Sequence, residues 1–351
     1  MNDLVKILFK LSLILLILLL IGYVYKRYYY RADLQEHSKI LLSQELVDRE
    51  SQMLYYGESS DISYHPDDSI KKSISSLTAE YFPETVLNAI DQPAFHAGNY
   101  LILLQHIPED APLETVIVTL NLRSFDAAWI YSDLETALQK SMVLIDPRFP
   151  PLINRIRLSF KDYEIKSDEE RHQQVLEAWE ENKLVFPSPF KYDNVVDWDH
   201  GMAKGGYSRR DSATMDQAMA ELACQYIKTY AFQIDTLNNP RIRDFDAITE
   251  LARKRNWNLV FNLLAENVEK VQVLVGDELV WLIRKNRDLL VERYTRKGVI
   301  VVDNLESVPD KEYIDRNWTT EHYAQKGRMI IARNLADSLR ILYPDEYQKP
   351  K

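Results

Sequence analysis

The stretch QMLYYGESSD, residues 52–61, takes a short apolar run at 52–56 straight into a turn that carries Ser59. Four further runs of this kind follow, at 85–90, 115–121, 258–263 and 299–302. The later ones are continuously apolar, the pattern of strands covered on both faces. Between the runs lie segments whose apolar residues fall three or four apart, at 69–81, 98–107, 133–144, 244–257, 271–296 and 324–343. Strands that alternate with helices pair in parallel as βαβ units. The expected fold class is therefore α/β, a flavodoxin-like sheet of five parallel strands flanked by helices.

More than a hundred residues separate the third run from the fourth, far more than one crossover helix needs. The excess, about 146–239, reads as a helical insertion with helices at 151–160, 168–183 and 212–233 around an irregular middle. That middle contains Gly201, Gly205 and Gly206, expected either in a flexible cap over a site or in an ordinary surface loop.

At roughly 150 residues per domain, a chain of 351 residues starts from a prior of about two domains. The chain instead divides into a membrane anchor (1–31), a helical stalk (32–50) and one α/β domain (51–351). Residues 11–25 are apolar apart from Ser12, and counting back to Leu4 the run is interrupted only by Lys6 and Lys10. That length suits a bilayer span, with Tyr23, Tyr25, Tyr28, Tyr29 and Tyr30 at the interface beside Lys26, Arg27 and Arg31. The bulky sequence YVYKRYYYR offers no small-x-small cleavage site, so retention of the anchor is expected over removal. Basic residues are nearly balanced on the two flanks, and charge does not set the orientation.

Lysine and arginine total 43 against 53 acidic residues, a net charge of -10, which argues against nucleic acid as a partner. Cys224 is the single cysteine, so an intrachain disulfide is excluded and a small buried side chain is expected. His65, Asp67 and Asp68 in YHPDDS resemble a ligand cluster, but Pro66 makes a turn and helix cap the better reading. No phosphate-binding loop, dinucleotide fingerprint or zinc-protease helix is present, and neither cofactor nor metal is expected. A G-x-S-x-G elbow is absent too, since Asp61 holds its last place.

Three positions are expected to meet at the carboxyl edge of the sheet, where open parallel sheets bind ligands: Ser59 after the first strand, Asn121 ending the third and His322 after the fifth. Glu266 and Asn267 follow the fourth strand, as pocket neighbours or merely the start of a helix. Arg123 stands just beyond Asn121, either to steer an anionic substrate or in an exposed salt bridge.

This order, with the elements around it, resembles the SGNH, or GDSL-type, hydrolase family over roughly 53–342, the insertion excluded. The family's Gly-Asp-Ser motif corresponds to Gly57-Glu58-Ser59, its block asparagine to Asn121 in IVTLNLRSF, its isolated oxyanion glycine to Gly98 in PAFHAGNY, and its late histidine to His322 in EHYAQKGR. Where the family has aspartate three residues before that histidine, this chain has Thr319. Asp315, Glu321 or a backbone carbonyl is left to orient the ring, with Asp315 preferred. The resemblance implies a Ser59 nucleophile, a His322 base and an oxyanion hole of Asn121, Gly98 and backbone N–H groups. It further implies an esterase or O-acyltransferase acting on an acylated carbohydrate or another small ester, with the soluble domain outside the cytoplasmic membrane. The competing expectations are a non-catalytic envelope protein that binds glycan or a membrane partner, and a cytoplasm-facing lipid esterase. Oligomeric state is left open.

Overall fold

The computed structural model describes residues 3–37, 41, 44–45, 50–163, 167–181, 184, 192, 194–205 and 217–350. Five strands form one sheet: β1 (Met53–Gly57), β2 (Leu87–Asp91), β3 (Thr115–Leu120), β4 (Asn258–Leu263) and β5 (Ile300–Asp303). Their order is β2-β1-β3-β4-β5 and every pair is parallel, with Tyr55 level with Ala89 and Ile117, and Val260 level with Ile117 and Ile300. This is the doubly wound arrangement expected from the five apolar runs.

In chain order the α-helices are α1 (Asp3–Tyr28), α2 (Tyr30–His37), α3 (Ser59–Ile62), α4 (Ile74–Ala79), α5 (Ala97–Gln105), α6 (Ala127–Ile130), α7 (Asp133–Ile145), α8 (Pro151–Ser159), α9 (Asp168–Glu181), α10 (Val195–Gly205), α11 (Gln217–Tyr230), α12 (Pro240–Arg255), α13 (Val268–Leu274), α14 (Asp277–Thr295) and α15 (Gln325–Leu339). Alternate residues of each strand serve opposite faces. Leu54, Tyr56, Val116, Val118, Leu120, Phe261 and Leu263 pack toward the side covered by α5, α12 and α14. Met53, Tyr55, Ile117, Val260 and Val302 pack toward Phe82 and toward Leu335, Ala336 and Leu339 of α15. Burial on both faces explains why these strands read as unbroken apolar runs.

Several boundaries differ from the sequence reading for local reasons. The helix expected over 69–81 is confined to α4, because Ser73 caps it by accepting from the Ser76 N–H. The helix expected over 271–296 is two, α13 and α14, broken at Gly276, whose φ of 121° suits glycine. The helix expected from 244 starts earlier, at Pro240, with Asn239 as its cap. In the insertion, the irregular middle contains α10, and Gly201 lies inside that helix where the Tyr192 ring occupies the space a Cβ would take. Gly201 therefore serves close packing within a helix, in neither a flexible cap nor a surface loop. Gly206 and most of the expected stalk beyond α2 lie outside the described residues.

None of the residues of α1 is buried, and the helix is long and apolar enough to cross a bilayer. On the far side of the sheet from α5, a fully buried arginine ties the last helix to the loop after β1. Arg328 donates to Asp68 Oδ2 at 2.8 Å and to the carbonyls of Tyr323 (2.7 Å), Ile70 (2.7 Å), Lys72 (3.0 Å) and Ser63 (3.3 Å). Arg328→Met would take the cationic donor from the partly buried Asp68 carboxylate, leaving it the His65 and Gln325 N–H groups, and would strip several carbonyls of their donor. The expected loss is about 3–5 kcal/mol of unfolding free energy. Urea denaturation of the variant measures it, and a change below about 1 kcal/mol would contradict this role.

Candidate active site

Strand β1 ends at Gly57, where a Cβ would strike the Asp91 carboxyl and the Tyr55 ring. The chain stays extended at Glu58 and turns into α3 at Ser59. Of the first N–H groups of α3, that of Asp61 donates to the Glu58 carbonyl at 3.1 Å, which leaves those of Ser59 and Ser60 without an intrahelical acceptor. Ser59 Oγ lies 3.0 Å from His322 Nε2.

His322 reaches Ser59 because the chain after β5 doubles back. Tyr313 and Tyr323 form an isolated antiparallel bridge, and the Ile314 N–H donates to the His322 carbonyl at 2.9 Å. This reversal places Asp315 Oδ2 at 2.6 Å from His322 Nδ1. The same carboxylate oxygen accepts from Thr320 Oγ1 at 2.7 Å, which holds it in line. With the ring proton on Nδ1 facing the carboxylate, Nε2 is the nitrogen able to accept from the serine. The fold-back bridges the seven positions that separate Asp315 from His322.

The preceding residues face the other way. Thr319 and Glu321 are buried, and the Thr319 carbonyl accepts from Arg123 Nη1 at 2.5 Å while Glu321 Oε2 accepts from Arg123 Nη2 at 2.7 Å. Arg123 is thus neither exposed nor turned toward an incoming anion; its guanidinium is buried and lies 4.5 Å from the centre of the Trp129 ring. Asn121 belongs to the same cluster. Its amide donates to Glu58 Oε1 at 2.7 Å and to Glu321 Oε2 at 3.1 Å, and its carbonyl oxygen caps the next turn at the Arg123 N–H. Both amide donors are committed to carboxylates, which corrects the expectation that Asn121 supplies an oxyanion contact.

Glu266 closes the cluster from β4. Tyr230, the last residue of α11, donates to Glu266 Oε2 and lies 3.2 Å from Glu321 Oε1. Three carboxylates, Glu58, Glu266 and Glu321, therefore share one arginine in a buried volume. Burial and then the neighbouring Glu321 push the Glu58 carboxyl up to about 7, against the pull of Arg123 and Asn121. The same two causes raise Glu266 well above the usual carboxyl range. Beside Gly57, Asp91 is pushed up to about 9 by burial and by Asp61, while Asp61 accepts from the Ser75 N–H (2.7 Å) and Ser75 Oγ (2.6 Å).

Two other expected residues do not join the serine. The Gly98 N–H is taken by His96 Nδ1 at 3.1 Å in the capping box of α5, and the space beside Gly98 is filled by Asp244 of α12. The amide proposed for an oxyanion is thus spent on a helix cap. Asn267 caps α13 through the Lys270 N–H and donates to Asp310 Oδ1 at 2.8 Å, the helix start that was its alternative reading. Glu58, Tyr230, Asp61 and Asp91 are the site's neighbours that sequence reasoning missed as such. Only Glu58 and Asp61 carried a signal, their closeness to Ser59; Tyr230 and Asp91 come from distant elements. His65 and Asp68 form a turn, with the His65 N–H on Asp68 Oδ2 at 2.9 Å, and no metal-binding cluster is found among the described residues.

No protein-family model matches the sequence, and no curated protein does. Among solved structures, the chain is similar to a lipase/acylhydrolase from Enterococcus faecalis, at 8% identity and a TM-score of 0.35 over 86% of this chain and 98% of that one. It is also similar to a catalytic mutant of an acetylxylan esterase from Geobacillus stearothermophilus, at 9% identity and a TM-score of 0.37 over 86% and 98% of the two chains. Likenesses this remote carry no weight for the chemistry, which rests on the side chains described above.

The raised carboxyl of Glu58 has a measurable consequence. In the unfolded chain it ionises near 4.5, in the folded chain near 7, so between these values the native state holds a proton the unfolded chain has lost. Its contribution is full below about pH 4.5 and drains as pH rises through about 7. Glu58→Gln keeps the Asn121 contact and removes the titration. Its thermal midpoint is expected to fall less than the parent's between about pH 5 and 8. Parallel pH profiles in a thermal denaturation series would contradict this assignment.

Proposed function

We propose that the chain is a membrane-anchored serine esterase or O-acyltransferase that works through an acyl-enzyme on Ser59. The observation that carries this reading is the unbroken relay from Ser59 Oγ to His322 Nε2 (3.0 Å) and from His322 Nδ1 to Asp315 (2.6 Å). A serine hydroxyl becomes nucleophilic when a neutral imidazole takes its proton during attack. As the bond from Oγ to the ester carbonyl carbon forms, the proton passes to Nε2, and Asp315 stabilises the imidazolium. The tetrahedral oxyanion is met by the backbone N–H groups of Ser59 and Ser60 at the start of α3; one such donor is typically worth about 3 kcal/mol of barrier. On collapse the Nε2 proton goes to the departing alkoxide oxygen and the ester C–O bond breaks. Water or a sugar hydroxyl then attacks the acyl carbon and gives its proton to Nε2, and as the bond from that carbon to Oγ breaks the proton returns to Ser59.

The resemblance to SGNH hydrolases supports an acylated carbohydrate or another small ester as substrate. It also supports a soluble domain outside the cytoplasmic membrane, since membrane-attached members of that family act on envelope glycans. The length and apolarity of α1 support anchoring by a single span.

A fluorophosphonate probe tests the relay directly. Covalent labelling of the parent protein is expected, none of Ser59→Ala, and strongly slowed labelling of His322→Ala. A folded parent protein that resists the probe would leave the non-catalytic, glycan-binding reading. Asp315→Asn is expected to lower kcat on an aryl acetate by about 10²–10⁴-fold with little change in KM. Unchanged turnover would remove Asp315 from the relay.

A further inference from the structure

Helix α8 (Pro151–Ser159) turns Leu158 to the core but carries further apolar side chains on its open surface. Ile153, Ile156 and Phe160 follow a spacing of three and four, which brings them to one stripe of the helix, and Phe149 lies beside them. All four are exposed, Phe160 at 82%. The most deeply buried residue of the helix is polar, Asn154, whose amide donates to the Asp146 carbonyl at 2.7 Å and the Leu144 carbonyl at 3.2 Å. A contiguous apolar stripe left in water is uncommon on a soluble surface and marks a place where something else covers it.

The position of α8 indicates what that is. Its Leu152 packs on Gly22, near the end of α1, with Leu152 Cδ2 at 3.9 Å from where a Gly22 Cβ would stand. Asp33 of α2 locks the corner, accepting from Tyr25 of α1 at 2.5 Å and pairing with Arg155 of α8 at 3.2 Å. The helix that bears the apolar stripe is thus packed beside the last turns of α1, where Tyr28 and, just beyond the helix, Tyr29 are 70% and 62% exposed. Basic residues border it: Arg148 and Lys161 flank α8, and Lys26, Arg27 and Arg31 close α1 and open α2. Aromatic and aliphatic side chains on one face, rimmed by lysine and arginine, are the composition of a helix lying in a membrane interface.

We infer that α8 lies in the headgroup region of the bilayer that α1 crosses, with Phe149, Ile153, Ile156 and Phe160 dipping among the acyl chains and the basic rim facing anionic headgroups. The α/β domain is then docked on the membrane by two contacts instead of swinging from one. This inference rests on the proposed retention of α1 as a span.

The test uses the full chain reconstituted in vesicles of phosphatidylcholine and phosphatidylglycerol, with an environment-sensitive fluorophore on Phe160→Cys, Leu16→Cys or Ile341→Cys in separate preparations. The native thiol, Cys224, is buried and its ionisation is pushed up to about 11, so it competes poorly for the label. Ile341 is 77% exposed and follows α15 on the opposite face of the sheet, which makes it the aqueous reference. Quenching of the Phe160→Cys label by nitroxide-bearing lipid is expected to exceed that at Ile341→Cys severalfold, with the reverse order for aqueous iodide. Equal quenching at 160 and 341, with Leu16→Cys strongly quenched by lipid, would overturn the interfacial helix and leave the span intact. A label at 160 shielded from both quenchers would overturn it too, in favour of contact with a second copy of the chain. A label at 16 open to iodide would end the anchored reading and this inference together.

Discussion

Residues 319–323 form the segment on which the site depends, because an extended chain sends successive side chains to opposite faces. Thr319, Glu321 and Tyr323 are buried, while Thr320 and His322 stay partly open. Inward, Glu321 and the Thr319 carbonyl grip Arg123, and Tyr323 Oη donates to the Ala265 carbonyl at 2.8 Å. Outward, Thr320 and His322 both meet Asp315. The side that holds the segment in place is thus the reverse of the side that presents the imidazole. A slip of one residue would bury the histidine and expose a carboxylate that now has a partner.

The inward side is an electrostatic compromise. Burying a carboxylate costs several kcal/mol unless it is paired and hydrogen-bonded, and three share one guanidinium here. The protein meets the cost partly by protonation, which is why burial raises Glu58 and Glu266. It meets the rest with neutral donors: the Asn121 amide joins Glu58 to Glu321, and Tyr230 joins Glu266 to Glu321. Through these links the ends of β1, β3 and β4, the insertion helix α11 and the histidine segment are fastened into one buried knot. An asparagine so employed has no donor left for an oxyanion, and the N–H groups of α3 remain nearest to the serine.

Much of this was legible before any coordinates. Five runs, each too short for a helix and the three central ones covered on both faces, lead directly to β1–β5, and the strand ends at Gly57 and Leu120 put Ser59 and Asn121 on a common edge. Asp315 was readable as one of several ways to orient His322, but spacing alone could not choose it. The errors fall where tertiary partners outweigh local pattern. Gly98 looked available because sequence does not show that His96 claims its N–H. Arg123 looked exposed because arginine usually is, and only the assembled edge supplies a buried carboxylate to receive it. The continuous helix expected over 271–296 broke at Gly276, where periodicity ran on but the backbone turned.

What the sequence determined by itself is the alternation of strand and helix, the apolar amino-terminal helix and the set of chemically able side chains, because these follow from local periodicity and residue type. What only the tertiary structure decided is which groups touch. Ser59 and His322 are 263 positions apart, and Asp315 meets the ring only because Tyr313 pairs with Tyr323 across a reversal. Contacts of that kind are set by the closure of loops and by burial shared among distant segments, quantities that no window of sequence contains.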